Sequence, residues 1–177
     1  SGTIGGAVTV NAAGTLAPGS GIATLTTGSA VSFSNGATLG FQYESNLLTA
    51  DLLRMAGTLS LSGTVPLSVA DLGPDVPVSP GTIFSMINYG GPLAGSGLFS
   101  YGGTSLADGD TFVVGSNTWQ IAYSSTTAGV NVTSALPSGS FVNLISVPEP
   151  TTWALLGSSA VIAALLRRRG RGSLRRA

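Results

Sequence analysis

The sequence predicts an all-β protein: a right-handed parallel β-helix, or solenoid, closed by a C-terminal β cap and followed by one short C-terminal transmembrane helix. Three observations predict it. A phrase recurs as Gly14-Thr15-Leu16, Gly36-Ala37-Thr38-Leu39 and Gly57-Thr58-Leu59, its leucines 23 and 20 residues apart. Short runs alternating apolar and polar residues flank it, punctuated by Gly, Asn and Ser. Charged residues are only 8% of the 177, against about a quarter in an ordinary soluble domain, yet 43% are hydrophobic, so there is a core to bury. Stacked coils about 4.8 Å apart need such a repeat, with aliphatic side chains inward, Ser and Thr outward and Gly at the corners.

Residues 1–72 read as the coils. Their inward positions are Val8 and Val10, Val31 and Phe33, Leu39, Phe41 and Tyr43, Leu59 and Leu61, and Val65, Leu67 and Val69, each set at the period of two that a strand demands. Residues 73–81 hold Pro74, Pro77 and Pro80; proline cannot donate to a ladder, so this is a surface loop separating two regions. Residues 82–134 read as the cap: a strand carrying Ile83, Phe84, Met86 and Ile87, another at 98–101, a hairpin around Gly115-Ser116-Asn117, and a last strand with Val130 and Val132. The aromatic residues Phe84, Tyr89, Phe99, Tyr101, Phe112, Trp119 and Tyr123 suit the covering of an end whose unpaired edges would invite aggregation. Residues 135–146 read as a flexible linker.

Residues 147–177 have three parts: Val147-Pro148-Glu149-Pro150, an apolar run at 153–166, and a basic end. Trp153, Leu155, Leu156, Val161, Ile162, Leu165 and Leu166 form a helix of roughly 21 Å against a hydrocarbon core of about 30 Å, short enough to make insertion marginal. Six of the seven basic residues, Arg167, Arg168, Arg169, Arg171, Arg175 and Arg176, follow it. The positive-inside rule puts them in the cytoplasm and the body across the inner membrane. Export with no apolar leader after Ser1 leads us to expect the C-terminal part of a longer precursor.

This order resembles the PEP-CTERM sorting signal of Gram-negative bacteria. The resemblance implies reading and processing by an exosortase after export, from an inner-membrane-anchored precursor, and a destination at the cell surface or in the extracellular polymeric matrix, as in a biofilm. The coils resemble the autotransporter-associated β-helix repeat on Val8-Thr9-Val10-Asn11, Gly14-Thr15-Leu16-Ala17-Pro18-Gly19, Gly36-Ala37-Thr38-Leu39, and Asp51-Leu52-Leu53 leading to Gly57-Thr58-Leu59-Ser60-Leu61-Ser62-Gly63-Thr64. Autotransporters end in a membrane-spanning barrel; here the sorting tail takes that place.

Composition excludes much chemistry. There is no Cys to crosslink, no His and no Lys, so neither a Ser-His-Asp triad nor its lysine variant can be assembled. The acids before the tail are Glu44, Asp51, Asp71, Asp75, Asp108 and Asp110; a glycosidase needs two of them about 5 to 10 Å apart across a cleft. Arg54, three positions after Asp51, is expected to pair with it. Asp108-Gly109-Asp110 has a fragment of a calcium loop without the later ligands and reads as a turn. Asn131-Val132-Thr133 spells a glycosylation triplet by chance, inside an expected strand. Residues 1–146 carry one Arg and six acids, the wrong sign for nucleic acid. No cofactor, metal or catalytic residue is expected. The expectation is a non-enzymatic, adhesin-like secreted protein that touches exopolysaccharide or other copies. The alternative is the C-terminal part of a secreted carbohydrate-active enzyme or carbohydrate-binding protein, the latter if Tyr89, Tyr101 and Trp119 are exposed in a row.

Overall fold

Inward aliphatic and outward hydroxyl side chains alternate along most of the body and organise it into strands. The computed structural model describes residues 1–137 and 139–148. Its strands are β1 (Gly2–Ile4), β2 (Val8–Val10), β3 (Thr15–Leu16), β4 (Thr24–Thr27), β5 (Val31–Phe33), β6 (Thr38–Glu44), β7 (Thr49–Ala50), β8 (Leu52–Met55) and β9 (Leu59–Leu61). They continue with β10 (Thr64–Asp71), β11 (Ile83–Tyr89), β12 (Leu93–Ala94), β13 (Leu98–Tyr101), β14 (Thr104–Ser105), β15 (Thr111–Val114), β16 (Asn117–Ser125) and β17 (Ser140–Val147). The described chain is all-β. The apolar run at 153–166 and the basic end lie outside the described residues, and among those described no helix is long and apolar enough to cross a membrane.

Twelve of these strands fall into three parallel ladders: β1, β4, β8, β11; β2, β5, β9, β12; and β3, β6, β10, β13. The chain passes through the three sheets in the same order four times. Leu25, Leu53 and Ile87 align in the first sheet, and Val31, Leu59 and Leu93, each six residues further on, align in the second. Leu16, Leu39 and Leu67, each eight residues after Val8, Val31 and Leu59, align in the third. Only the return to the first sheet varies, with 9 residues from Leu16 to Leu25, 14 from Leu39 to Leu53 and 20 from Leu67 to Ile87. The second return carries β7, folded back on β6, and the third carries the proline-rich segment.

The phrase Gly-Thr-Leu therefore does not mark one face. Leu16 and Leu39 do stack, but Leu59 lies in the second sheet beside Val31, and Leu67 takes the place on Leu39. The glycine of the third phrase serves a different need. Consecutive passes of the chain touch at the corner between the first two sheets: a Cβ on Gly28 would lie 2.6 Å from the Gly5 carbonyl oxygen, one on Gly57 2.6 Å from the Ala30 nitrogen, and one on Gly90 2.6 Å from the Ala56 carbonyl oxygen. We expect Gly90→Val to destabilise the body by about 1–3 kcal/mol, because the opposing atom is backbone and cannot swing away. Urea unfolding should show a lower midpoint at unchanged slope.

The boundary expected at 73–81 is not one either. β11, β12 and β13 continue the parallel ladders across it, and residues 1–147 form one compact unit around a single apolar cluster. At its centre Tyr43, Phe84 and Trp119 meet, with Trp119 edge-on to Tyr43 at 5.3 Å and tilted on Phe84 at 5.4 Å.

Antiparallel strands then close the stack. β14 pairs with β13, and the first sheet is extended by β17, β16 and β15 in that order from β11. Two sequence expectations fail here. Val130 and Val132 form no strand, and the supposed linker at 135–146 supplies most of β17, held between β11 and β16. Both faces of β17 are covered, so it lacks the alternation that marks a half-exposed strand. Its polar residues are paired: Asn143 accepts from the Ser85 hydroxyl at 2.8 Å and donates to the Thr127 carbonyl at 2.8 Å, and the Ser146 hydroxyl donates to the Val78 carbonyl at 3.1 Å.

Candidate functional site

Of the expected site residues, only Val147 and Pro148 fall among those described; Glu149, Pro150, the apolar run and the arginines do not. Those two sit at the end of β17. The Ser146 N–H donates to the Thr82 carbonyl at 2.8 Å, the Ser146 carbonyl accepts from the Gly81 N–H at 2.7 Å, and Val147 stands in register with Thr118. Pro148 has no N–H, so pairing stops there. The body is tied down to the residue before the Pro-Glu-Pro motif.

A polar clasp holds β11, the neighbour of this strand, from outside the first sheet. The Asn131 carboxamide accepts from the Ser85 N–H at 2.9 Å and donates to the carbonyls of Asp51 at 3.0 Å and Ser85 at 2.9 Å. The Ser85 hydroxyl accepts from the Gly129 N–H at 2.8 Å, while Asn88 accepts from the Leu136 N–H and donates to the Ser140 carbonyl. Residues 127–137 thus cover β11, where Ser85 and Asn88 are buried. Sequence reasoning singled out Asn131 for its spelling and missed its role. The available signal was the density of Asn and Ser in segments that also carry Ile, Phe and Val, since buried amides must find partners.

The five aspartates of the body serve the backbone, while Glu44 accepts from the Thr49 hydroxyl at 3.3 Å. Asp51, fully buried, accepts from the Ala23 N–H at 2.8 Å and the Gln42 N–H at 3.0 Å, linking two passes of the chain. Asp71 accepts from the N–H groups of Ser45 and Gly73, and Asp75 from the Ser116 N–H and hydroxyl. Asp108 accepts from the Tyr123 N–H and Asp110 from the Ala107 N–H, so this pair builds a turn around Gly109. Among the described residues no three acids gather to hold a metal. The expected pairing of Arg54 with Asp51 does not form: three residues apart on an extended chain they point to opposite faces, and Arg54 Nε is buried without a hydrogen-bond partner.

Burial, the largest influence, raises the Asp51 pKa, and the two N–H groups oppose it. With the folded value above the unfolded one, the stability that Asp51 contributes is full below the ordinary carboxylate range and is lost as pH rises through the folded value. We expect Asp51→Ala to cost about 1–3 kcal/mol for each N–H left unpaired. Thermal melts between pH 3 and 7 should show a flatter profile in the variant than in the native chain.

The aromatic row expected for a sugar platform is absent. Trp119 and Tyr89 are buried, Tyr89 with its hydroxyl 3.1 Å from that of Ser124, and Tyr101 is half-buried against Phe112 at 4.7 Å. Tyr123 stacks on Phe99 at 6.1 Å, its hydroxyl accepting from the Phe99 N–H and donating to the Leu106 carbonyl; burial foremost pushes its pKa to about 12. What faces solvent on the second sheet is an uncharged row, Thr9, Ser32 and Ser60, aligned from strand to strand.

Comparison with known proteins gives one match: the PEP-CTERM protein-sorting motif, at residues 146–169. It begins within β17 and runs through the apolar segment to Arg169. The chain carries an exosortase-type sorting signal, which makes it an exported protein and a substrate for exosortase processing. No curated protein and no solved structure matches it.

Proposed function

We propose that this chain is a non-enzymatic structural protein of the cell surface or extracellular matrix, an adhesin-like parallel β-solenoid delivered by its C-terminal signal. The observation that carries this is the sorting motif joined directly to a body made of aligned parallel strands. The constant steps of six and eight residues between sheets support the solenoid. They also support kinship with autotransporter-associated repeats, with the repeat unit redrawn from the corner glycines. The aligned hydroxyl row of Thr9, Ser32 and Ser60 suits hydrogen bonding to exopolysaccharide or to another copy without charge. A body without His or Lys, whose five aspartates are occupied by backbone N–H groups, supports a scaffold over an enzyme. In this reading the apolar run from Trp153 anchors the precursor in the inner membrane with the arginines in the cytoplasm until processing. The carbohydrate-binding alternative loses its platform with the burial of Trp119 and Tyr89.

Removing residues 167–177 in a host that carries an exosortase should leave the protein unprocessed and away from the surface. Fractionation and immunoblotting would read this; unchanged processing and surface delivery would refute the proposal.

A further inference from the structure

We propose, on the reading of this chain as a matrix protein, that a cleft on the outer face of the first sheet holds one unit of a neutral polysaccharide. Leu25 stands in register with Leu53, and Leu53 with Ile87, all facing the core, so Thr24, one residue before Leu25, points outward. Thr24 forms the floor of the cleft with Ile22 and Ala23. Leu48, Thr49 and Ala50, at the turn into β7, make one wall, and Val130, Asn131 and Thr133 of the covering segment make the other. The space between them is about 280 Å³.

Asp51 ties these distant pieces together from beneath. Its carboxylate accepts from the N–H groups of Ala23 and Gln42, and its carbonyl accepts from the Asn131 carboxamide. The Leu52 N–H donates to the Ala23 carbonyl, and the Val130 N–H to the Ile83 carbonyl. The walls are thus fixed by hydrogen bonds before any ligand arrives, which leaves little ordering to be done on binding.

The lining selects the ligand. Ile22, Leu48 and Val130 offer aliphatic surface, while Thr24, Thr49 and Thr133 offer hydroxyls, and Ser1 adds one that accepts from the Thr24 N–H at 3.4 Å. Among the described residues no charged or aromatic side chain lines the cleft. Two acids stand beside it, Glu44 on the Thr49 hydroxyl and Asp51 beneath Ala23, so a carboxylate, sulfate or phosphate is repelled. Among the described residues no group of acids gathers to hold a cation, and a flat aromatic ligand finds no ring to stack on. A pyranose ring meets what remains: C–H groups on its faces for the aliphatic walls, and hydroxyls around its rim for the threonines. Sites for drug-sized ligands run to about 300–1,000 Å³, so this one takes a single ring. Leu48 and Val130 are exposed at its mouth, which leaves the polysaccharide room to continue on either side.

The test is chemical-shift mapping of the purified full chain, in a detergent without a sugar headgroup, titrated with the methyl glycosides of glucose, galactose and mannose and with methyl glucuronide as their charged counterpart. At least one neutral glycoside should shift amides confined to residues 22–24, 48–50 and 130–133, and the glucuronide should shift none. Thr49→Val and Thr133→Val, both at exposed positions, should each weaken that binding about two- to tenfold by removing one hydrogen bond, at unchanged melting temperature. No shift with any neutral glycoside, equal shifts with the glucuronide, shifts gathered instead on Thr9, Ser32 and Ser60, or variants that bind as well as the native chain would each overturn the inference. Shifts at the cleft that grow with protein concentration in the absence of sugar would overturn it as well, by making a second copy the occupant. None of these outcomes depends on delivery to the surface, which fractionation of the chain lacking residues 167–177 decides independently.

Discussion

A chain ended at Gly139 should not fold, whereas one ended at Pro148 should melt in a single cooperative transition. The difference is β17. Phe141, Val142 and Leu144 are buried, and at about 1.5–3 kcal/mol for each such side chain their loss alone amounts to roughly 5–9 kcal/mol. The whole stability of a domain is about 5–15 kcal/mol. The truncation also uncouples β11 from β16 and takes from the Ser85 hydroxyl and the Asn88 amide the partners that β17 gives them. Circular dichroism and calorimetry on the two truncated chains would decide the matter, and a cooperative melt from the chain ended at Gly139 would disprove the central role given to this strand.

The second large effect is expected at Trp119. Replacing it by Ala should cost about 3–5 kcal/mol, the range for emptying a buried aromatic site, and lower the melting temperature by on the order of 10 °C. The indole touches Tyr43 and Phe84, so it joins a residue of β6 to the antiparallel closure. Its Nε1 and the Tyr43 hydroxyl are buried without hydrogen-bond partners, so the indole is held there by contact area and ring geometry. Burial, first among the causes, pushes the Tyr43 pKa to about 12, with Asp71 and Asp75 adding to it, which keeps the phenol neutral throughout the physiological range. Trp119→Phe should recover most of the loss. In the chain ended at Pro148 Trp119 is the sole tryptophan, so blue-shifted fluorescence would report its burial, and emission near that of free tryptophan would refute it.

Much of this was legible in the sequence, and the failures have common causes. Inward positions such as Val31, Phe33, Leu39, Phe41 and Leu61 were readable because one side of their strands faces solvent and the period of two survives. β17 was not readable because both of its sides are covered, and Asn143 and Ser146 give it the look of a connector. The repeat length was misjudged because Gly-Thr-Leu occurs at two different corners; the small residues at Gly5, Gly28, Ala56 and Gly90 were the better guide, being the ones the contact between successive passes requires. Arg54 was paired with Asp51 by counting along the chain, but three residues on a strand reverse the direction of the side chain. The sorting motif, by contrast, is a local pattern that needs no fold to be recognised.

The unequal returns of 9, 14 and 20 residues all fall on one side of the stack, while the two other corners never change length. Material can thus be added along a single seam without disturbing the tiling within. A peptide epitope placed at Asn46 would ride on that seam while the ladders beneath keep their register.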